Sequence, residues 1–350
     1  MEREIGIGII GCGSVAEWKY MPELRKLSGC RMRAFFGGRA EEACRKYGAD
    51  DAVVCRSLPE LLCRSDIDAV CVCTPNNSHC AITVAALEAG KHVICEKPMA
   101  ISSAEAVQMA EAAKRRGKVL TIGHQERFAP TAQALYAFLR DGRLGRPYYM
   151  QVNMLRRLGI PTWGHFTDPV VQGGGALIDL GTHGVDLALW LLGNDEPAYC
   201  SAGCFNERGC QPTSANRWGR WNGEAFGVED SAFGQIVMKS GAVVRINAAW
   251  ALHIPADRED ELEICGTEAG AVWTPQRCTV NGIRNDAFYE ETLCEDTEDT
   301  ANAAQLRNFL DAVRGEESVL VTAEESVTVC RVLEDLYRSA KENRPIIYQK

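Results

Sequence analysis

The stretch Ile5-Gly6-Ile7-Gly8-Ile9-Ile10-Gly11-Cys12-Gly13-Ser14-Val15-Ala16 decides the fold. Its first half, from Ile5 to Ile10, is a short apolar run that reads as a strand. Its second half reads G-x-G-x-x-A and opens a helix predicted over residues 15–27, shortened or kinked by Pro22. A glycine pattern gains meaning from this context, behind a strand and ahead of a helix. Gly11 permits the tight turn, Gly13 lets the backbone approach a pyrophosphate, and Ala16 keeps the helix close to the strand. The helix start offers N–H groups and a partial positive charge to phosphates. Gly11, Gly13, Ser14, Val15 and Ala16 are therefore candidate contacts to a dinucleotide.

The chain downstream continues the alternation. Strands are predicted at 31–36, 69–73, 92–95 and 119–123, and helices at 40–47, 78–89 and 103–116. Strands alternating with helices imply a parallel sheet covered on both faces. The pattern changes near residue 125. A helix at 129–140 and a strand at 148–155 precede a Gly/Pro-rich stretch, 159–175, and a helix at 177–192. Separated strand candidates follow, among them 231–238, 242–250 and 261–265, then closing helices at 305–313 and 323–339. The strand spacing suggests an antiparallel or mixed sheet. The fold class is α/β, with a Rossmann domain at 1–125 and an α+β domain at 126–350. The acidic stretch 290–299 reads as a solvated loop or turn.

Composition agrees with two soluble domains. The 350 residues exceed what one compact core usually holds. Apolar residues at 46% and charged residues at 24% exclude a disordered or collagen-like chain. Lys+Arg 38 against Asp+Glu 47 gives a net charge of −9, with no basic block, which argues against nucleic acid or an anionic membrane as partner. The start is charged, and no stretch approaches the roughly 18–20 apolar residues of a membrane span. The expected address is the cytoplasm. The 16 cysteines fit a reducing compartment, where they pack as small hydrophobes. Cys200, Cys204 and Cys210 lack a paired C-x-x-C and a nearby histidine, so no metal site is expected.

Three further segments carry chemistry. The second strand ends Phe36-Gly37-Gly38-Arg39, without the carboxylate that would bond a ribose 2′-OH. Its absence removes repulsion toward a 2′-phosphate, and Arg39 can pair with one, so the reading favours NADP(H) and leaves NAD open. Cys95-Glu96-Lys97-Pro98 ends a strand of the parallel sheet, and ligands lie beyond such strand ends. Gly173-Gly174-Gly175-Ala176-Leu177-Ile178-Asp179-Leu180-Gly181-Thr182-His183 leads into a helix. Asp179 and His183 are four apart, which puts them on one helical face.

Taken together, the loop at Gly11–Ala16, Thr74-Pro75-Asn76, Glu96-Lys97-Pro98 and Asp179-x-x-x-His183 resemble the Gfo/Idh/MocA family in order and spacing, over nearly the whole chain. The resemblance implies a Rossmann domain followed by a domain with a large open sheet that often forms the oligomer interface, here of a homodimer or homotetramer. It implies that His183 exchanges a proton with a substrate hydroxyl, a task suited to a side chain whose unperturbed titration lies near pH 6.5. Lys97 is implied to orient that hydroxyl and stabilise its developing charge. Asp179 is implied to bind substrate or relay the proton, and Glu96 to support its loop. A cis bond before Pro98 is implied too. Thr74, Pro75, Asn76, His79, Glu96 and Lys97 are implied to line the nicotinamide side of the cofactor, as Gly37, Gly38 and Arg39 line its adenosine side. The chain departs from many members at Gly37, where they carry an acid.

On the substrate side the resemblance points to Arg127, which follows the last Rossmann strand. The segment from Arg156 to His165 is polar, aromatic and interrupted by Gly and Pro. Trp163 can stack on a sugar ring, and Arg156 and Arg157 can hold an anion. The alternative is a surface loop with Trp163 packed inward. The implied activity is hydride transfer between a nicotinamide cofactor, NADP or NAD, and a secondary hydroxyl of a sugar, polyol or glycoside. A second reading has the same residues oxidise a sugar transiently, eliminate the aglycone and return the hydride, with no net redox. A third, a non-catalytic sensor, is opposed by intact Lys97, Asp179 and His183.

Overall fold

The structure is a computed structural model that describes residues 4–296, 298 and 300–348. The chain divides into two compact units, residues 1–125 with 300–327 and residues 126–299 with 328–350. The return of 300–327 to the first unit corrects the single C-terminal domain expected at 126–350. Its cause is apolar: the helix Ala301–Arg314 sets Leu306, Phe309 and Leu310 into the buried cluster that holds Ile5, Ile7, Ile9, Tyr20 and Met21.

The first unit contains strands β1 (Ile5–Cys12), β2 (Cys30–Gly38), β3 (Val53–Val54), β4 (Ala69–Val72), β5 (His92–Cys95) and β6 (Leu120–Ile122). They form one sheet of order β3-β2-β1-β4-β5-β6, parallel throughout. Ile7, Ile9 and Ile10 are fully buried, as a central parallel strand covered on both faces requires. Strand order reverses between β1 and β4, the place where such sheets open a ligand crevice. The helix predicted over 15–27 arrives as two segments, a π-turn at Ala16–Tyr20 and an α-helix at Met21–Lys26. Pro22 sits in the first turn of the latter, where its missing N–H is harmless. Strand β3 and the short helix Leu58–Leu62 were not predicted, since two and five residues carry too little periodicity.

The second unit is built on β7 (Pro147–Leu155), β8 (Pro197–Phe205), β9 (Ser231–Met238), β10 (Val243–Ala249), β11 (Arg258–Gly266), β12 (Ala269–Trp273), β13 (Arg277–Arg284), β14 (Ala287–Glu295) and β15 (Ile346–Ile347). These form a nine-stranded sheet of order β14-β13-β12-β11-β7-β10-β9-β8-β15. β7 and β10 are parallel and the other neighbours antiparallel, so the sheet is mixed. On β10, Val244, Ile246 and Ala248 are buried, while Arg245 and Asn247 alternate with them on the other face beside Ser201, Phe233 and Gln235. The helices Pro130–Arg140 and Thr182–Leu191 join through Tyr136 stacked on Trp190, ring centroids 4.2 Å apart.

The acidic stretch expected as a loop is corrected in part: residues 290–295 belong to β14, an edge strand. Glutamates along an edge discourage further strand pairing, so the charge run suits a strand as well as a loop. Asn285 and Asp286, both at positive φ, turn the chain between β13 and β14. Thr297 and Asp299 lie outside the described residues. All 16 cysteines are free thiols. Among the described residues no helix is long and apolar enough to cross a membrane.

Candidate active site

The glycine loop of the first unit has the shape a dinucleotide needs. Gly11 has φ +90°, and a Cβ there would meet the Cys73 carbonyl oxygen at 2.6 Å, so only glycine fits. A Cβ on Gly13 would meet nothing within 4 Å, which leaves the loop open on the side where a pyrophosphate would lie. The residues present therefore fit the cofactor that the motif implies. At the end of β2, Gly37 and Gly38 take φ +78° and +60°. Arg39 follows, half exposed, with its guanidinium 2.7 Å from Glu17. Exposed pairs of this kind contribute about 0–1 kcal/mol, so Arg39 can exchange Glu17 for another anion.

Beyond β4 and β5 the two loops are tied together by His79. Its Nδ1 lies 2.8 Å from the Pro98 carbonyl oxygen and its Nε2 2.9 Å from that of Thr74. His79 is fully buried with both ring nitrogens engaged by backbone. It is a structural tie between the loops, which corrects its assignment as a cofactor contact. Burial is also the main reason its imidazole is less basic than usual.

The peptide bond between Lys97 and Pro98 is cis. Lys97 is anchored through Glu96, whose Oε2 accepts the Lys97 backbone N–H at 3.1 Å. The other carboxylate oxygen accepts from Lys19 Nζ at 2.6 Å and from the Tyr20 hydroxyl at 2.7 Å. Lys19 also donates to the Gly123 carbonyl and to Gln125. The π-turn at Ala16–Tyr20 lets the sequence neighbours Lys19 and Tyr20 converge on this one carboxylate. Burial by itself would raise the Glu96 carboxyl, yet the Lys19 ammonium beside it holds it below the usual range. The carboxylate thus stabilises the fold above the ordinary glutamate range and loses that contribution only as pH falls below it. Lys19→Met leaves Glu96 buried without its cation. It is expected to cost about 3–5 kcal/mol, read as a fall in the urea midpoint at neutral pH that shrinks on acidification.

In the second unit, Asp179 lies in a π-turn at Leu177–Gly181 and His183 in the α-helix that continues it. The plain four-residue α spacing expected between them is therefore widened. Such turns recur at functional sites because they re-aim side chains. Asp179 Oδ2 accepts from the indole N–H of the buried Trp250 at 2.9 Å. His183 Nδ1 lies 2.8 Å from Glu126 Oε1, and both side chains are 11% exposed. Glu229 holds the start of the segment, accepting the N–H groups of Gly175 and Leu177 and the Tyr337 hydroxyl. Burial raises the Glu229 carboxyl above its ordinary value.

The structure corrects the reading of Arg127. It is wholly buried and forks onto Asp186 at 2.6 and 2.8 Å, so its guanidinium is consumed inside the unit and is not presented to a substrate. Arg156 is likewise engaged, 2.7 Å from Glu259 and over the Trp218 ring at 5.2 Å. The expected role of Arg156 toward a substrate anion would have to compete with that pairing. Arg157 is exposed. Trp163 is half-buried, its ring edge-on to Trp218 at 4.9 Å and to Phe166 at 5.8 Å. Glu126, Trp250, Glu229 and Trp218 were missed from the sequence. Glu126 alone had a signal, its place beside an arginine that was singled out.

The profile described as "Oxidoreductase family, NAD-binding Rossmann fold" matches residues 5–124. Its companion, "Oxidoreductase family, C-terminal alpha/beta domain", matches residues 137–347. The chain is 32% identical to D-glucoside 3-dehydrogenase of Escherichia coli (strain K12) over 341 residues, covering 96% of this chain and 95% of that protein. It is 30% identical to 1,5-anhydro-D-fructose reductase of Ensifer adhaerens, over 76% of this chain and 74% of the other. In fold it matches levoglucosan dehydrogenase in complex with NADH and levoglucosan, with a TM-score of 0.85 at 21% identity, over 99% of this chain and 100% of that one.

Proposed function

Since this chain belongs to the Gfo/Idh/MocA family of oxidoreductases, we propose that it interconverts a secondary hydroxyl and a ketone on a neutral sugar, polyol or glycoside. The observation that carries this reading is His183, its Nδ1 2.8 Å from the Glu126 carboxylate, on the same short segment as Asp179. An imidazole beside a carboxylate can take up and release a proton as a general base and acid.

Gly11, Gly13, Ser14, Val15 and Ala16 hold the cofactor pyrophosphate in this reading. Gly37, Gly38 and Arg39 meet its adenosine ribose, and Thr74, Pro75, Asn76, Glu96 and Lys97 its nicotinamide side. The bound nicotinamide supplies or takes up the hydride. Lys97 orients the reacting hydroxyl and steadies the negative charge that develops on its oxygen. Asp179, aimed by Trp250, binds the substrate. His183 moves the hydroxyl proton.

The charges of the second unit favour a neutral ring over a sugar acid or phosphate. Arg127, Arg156 and Arg217 are each paired with carboxylates, while Asp179 and Glu126 add negative charge. Near-full-length likeness to D-glucoside 3-dehydrogenase makes D-glucosides the first substrates to test. The absence of an acid at Gly37, together with an Arg39 held only by a surface pair, supports NADP over NAD. The face of the nine-stranded sheet that carries Arg245 and Asn247 is the surface through which a homodimer or homotetramer would form.

The nucleotide released by heat from the purified protein tests this reading, with mass spectrometry before and after dialysis. The expected result is reversible uptake of one nucleotide and sugar-dependent change in nicotinamide absorbance. A stoichiometric nucleotide that survives dialysis, with glycoside cleavage and no added NAD(P), would replace this reading by cleavage without net redox. The 2′-phosphate on the recovered nucleotide decides between NADP and NAD.

A further inference from the structure

The segment that carries Asp179 and His183 starts without a cap of its own. The first four N–H groups of a helix have no partner within it. The turn Leu177–Gly181 follows three glycines, and no side chain at its own start accepts from it. Its leading N–H groups are met from elsewhere in the second unit. The Gly175 N–H donates to Glu229 Oε2 and the Leu177 N–H to Glu229 Oε1, both at 2.9 Å. Between them, the Ala176 N–H donates to the Glu229 backbone carbonyl at 3.2 Å. The Ile178 N–H donates to the Tyr337 hydroxyl at 3.0 Å, and that hydroxyl donates in turn to Glu229 Oε1 at 2.8 Å. The next N–H, of Asp179, turns back onto the Gly175 carbonyl at 3.0 Å.

Two of the glycines make room for this arrangement. A Cβ on Gly175 would lie 1.9 Å from the Glu229 carbonyl oxygen, and one on Gly174 would lie 2.2 Å from the Tyr337 hydroxyl. Glu229 and Asp230 lead into β9 and serve Asp179 from two sides. Trp250, whose indole N–H donates to Asp179, is fastened by its backbone N–H to the Asp230 carbonyl at 2.8 Å. Asp230 is fully buried, and its carboxylate takes the N–H groups of Arg208 and Gly209 at 2.6 and 2.8 Å. A carboxylate suits the start of a helix, where the partial charge is positive. The titratable groups that face Glu229 are Tyr337 and Cys204, and neither brings a positive charge. Burial therefore outweighs the hydrogen bonds and raises the Glu229 carboxyl above its ordinary value.

We propose that Glu229, backed by Tyr337, is the positioning residue of Asp179 and His183. Its carboxylate takes three donors and its carbonyl a fourth, which fixes the entry of the turn and so the direction of the helix that continues it. The charge counts beyond the shape. Protonation of Glu229 turns one oxygen into a donor that faces an N–H, and a hydrogen bond is lost. The inference rests on Asp179 and His183 carrying the chemistry, and its test separates the two.

The experiment compares the full chain as wild type, Glu229→Gln and Tyr337→Phe. It reads hydrogen exchange by mass spectrometry over residues 174–183, and kcat on a D-glucoside across pH. Glu229→Gln keeps the shape and puts an amide NH2 where an acceptor stood. At neutral pH its exchange over this peptide is expected to be about 10-fold faster or more, the loss of one hydrogen bond to a charged group. Its kcat is expected to fall by up to about 10²-fold, the cost of a small misplacement, with nucleotide affinity unchanged. Both differences shrink toward acid pH, where the wild type joins the variant. In Tyr337→Phe the carboxylate loses a donor, so the acid fall of kcat moves to higher pH. Unchanged exchange, unchanged kcat, or a ratio of wild-type to Glu229→Gln rates that does not vary with pH overturns the inference. If Glu229→Gln does not fold, as judged by circular dichroism, the pH shift in Tyr337→Phe decides alone. A His183→Ala protein that keeps its turnover would instead overturn the acid/base reading, on which the exchange result does not depend.

Discussion

His183→Ala is expected to lower turnover by about 10²–10⁴-fold, the usual contribution of a positioned acid/base, and to leave nucleotide affinity within about twofold. The two halves of this result come from different parts of the chain. The residues assigned to the nucleotide belong to the first unit, whereas His183 belongs to the second. Its side chain is 11% exposed and its Nδ1 lies 2.8 Å from Glu126, so removing the ring deletes a proton carrier and leaves the sheet beneath intact. Steady-state rates on a D-glucoside give the first half, and titration of nucleotide fluorescence the second. Near-normal turnover would remove His183 from the chemistry. A parallel loss of nucleotide affinity would mean that the substitution had disturbed more than the proton path.

Arg127→Met is expected to cost about 3–5 kcal/mol, the penalty for a buried charge left without its partner. Whole domains are held by only about 5–15 kcal/mol, so this is a large share of the total. Arg127 and Asp186 are 0% and 1% exposed, which leaves Asp186 no route to water in the variant. Asp186→Leu is expected to be as damaging, for the mirror reason. The double variant Arg127→Met/Asp186→Leu is expected to recover most of the loss, because two apolar groups leave no charge stranded. Urea unfolding of the four proteins gives the cycle. Additive losses in the double variant would show that the pair is not a coupled unit.

The first unit was legible from its sequence because its signals are local. The run Ile5–Ile10, the glycines that follow and the regular alternation after them each report on neighbours in the chain. The motifs that contain Lys97, Asp179 and His183 are local in the same way, which is why the sequence proposes them as candidates. What escaped was set by distance. Helix Ala301–Arg314 looks like any amphipathic helix, and nothing in its pattern tells which sheet its apolar face will cover. Arg127 was misread because an arginine beside a functional segment is equally consistent with a ligand contact and with a buried fork. Only its pairing with Asp186, 59 residues on, decides.

The thiols offer a last consequence. Burial pushes Cys12 and Cys204 up to about 12, and Cys30 and Cys200 up to about 11, so at neutral pH these hold almost no reactive thiolate. Of all 16 cysteines, Cys63 and Cys210 are the exposed pair, the former in the first unit and the latter in the second. Brief treatment with a maleimide dye near neutrality would therefore reach these two first, one in each unit, with no engineered position. Energy transfer between a donor and an acceptor so placed would follow, in the unaltered chain, whether saturation with nucleotide or sugar changes the separation of the two units.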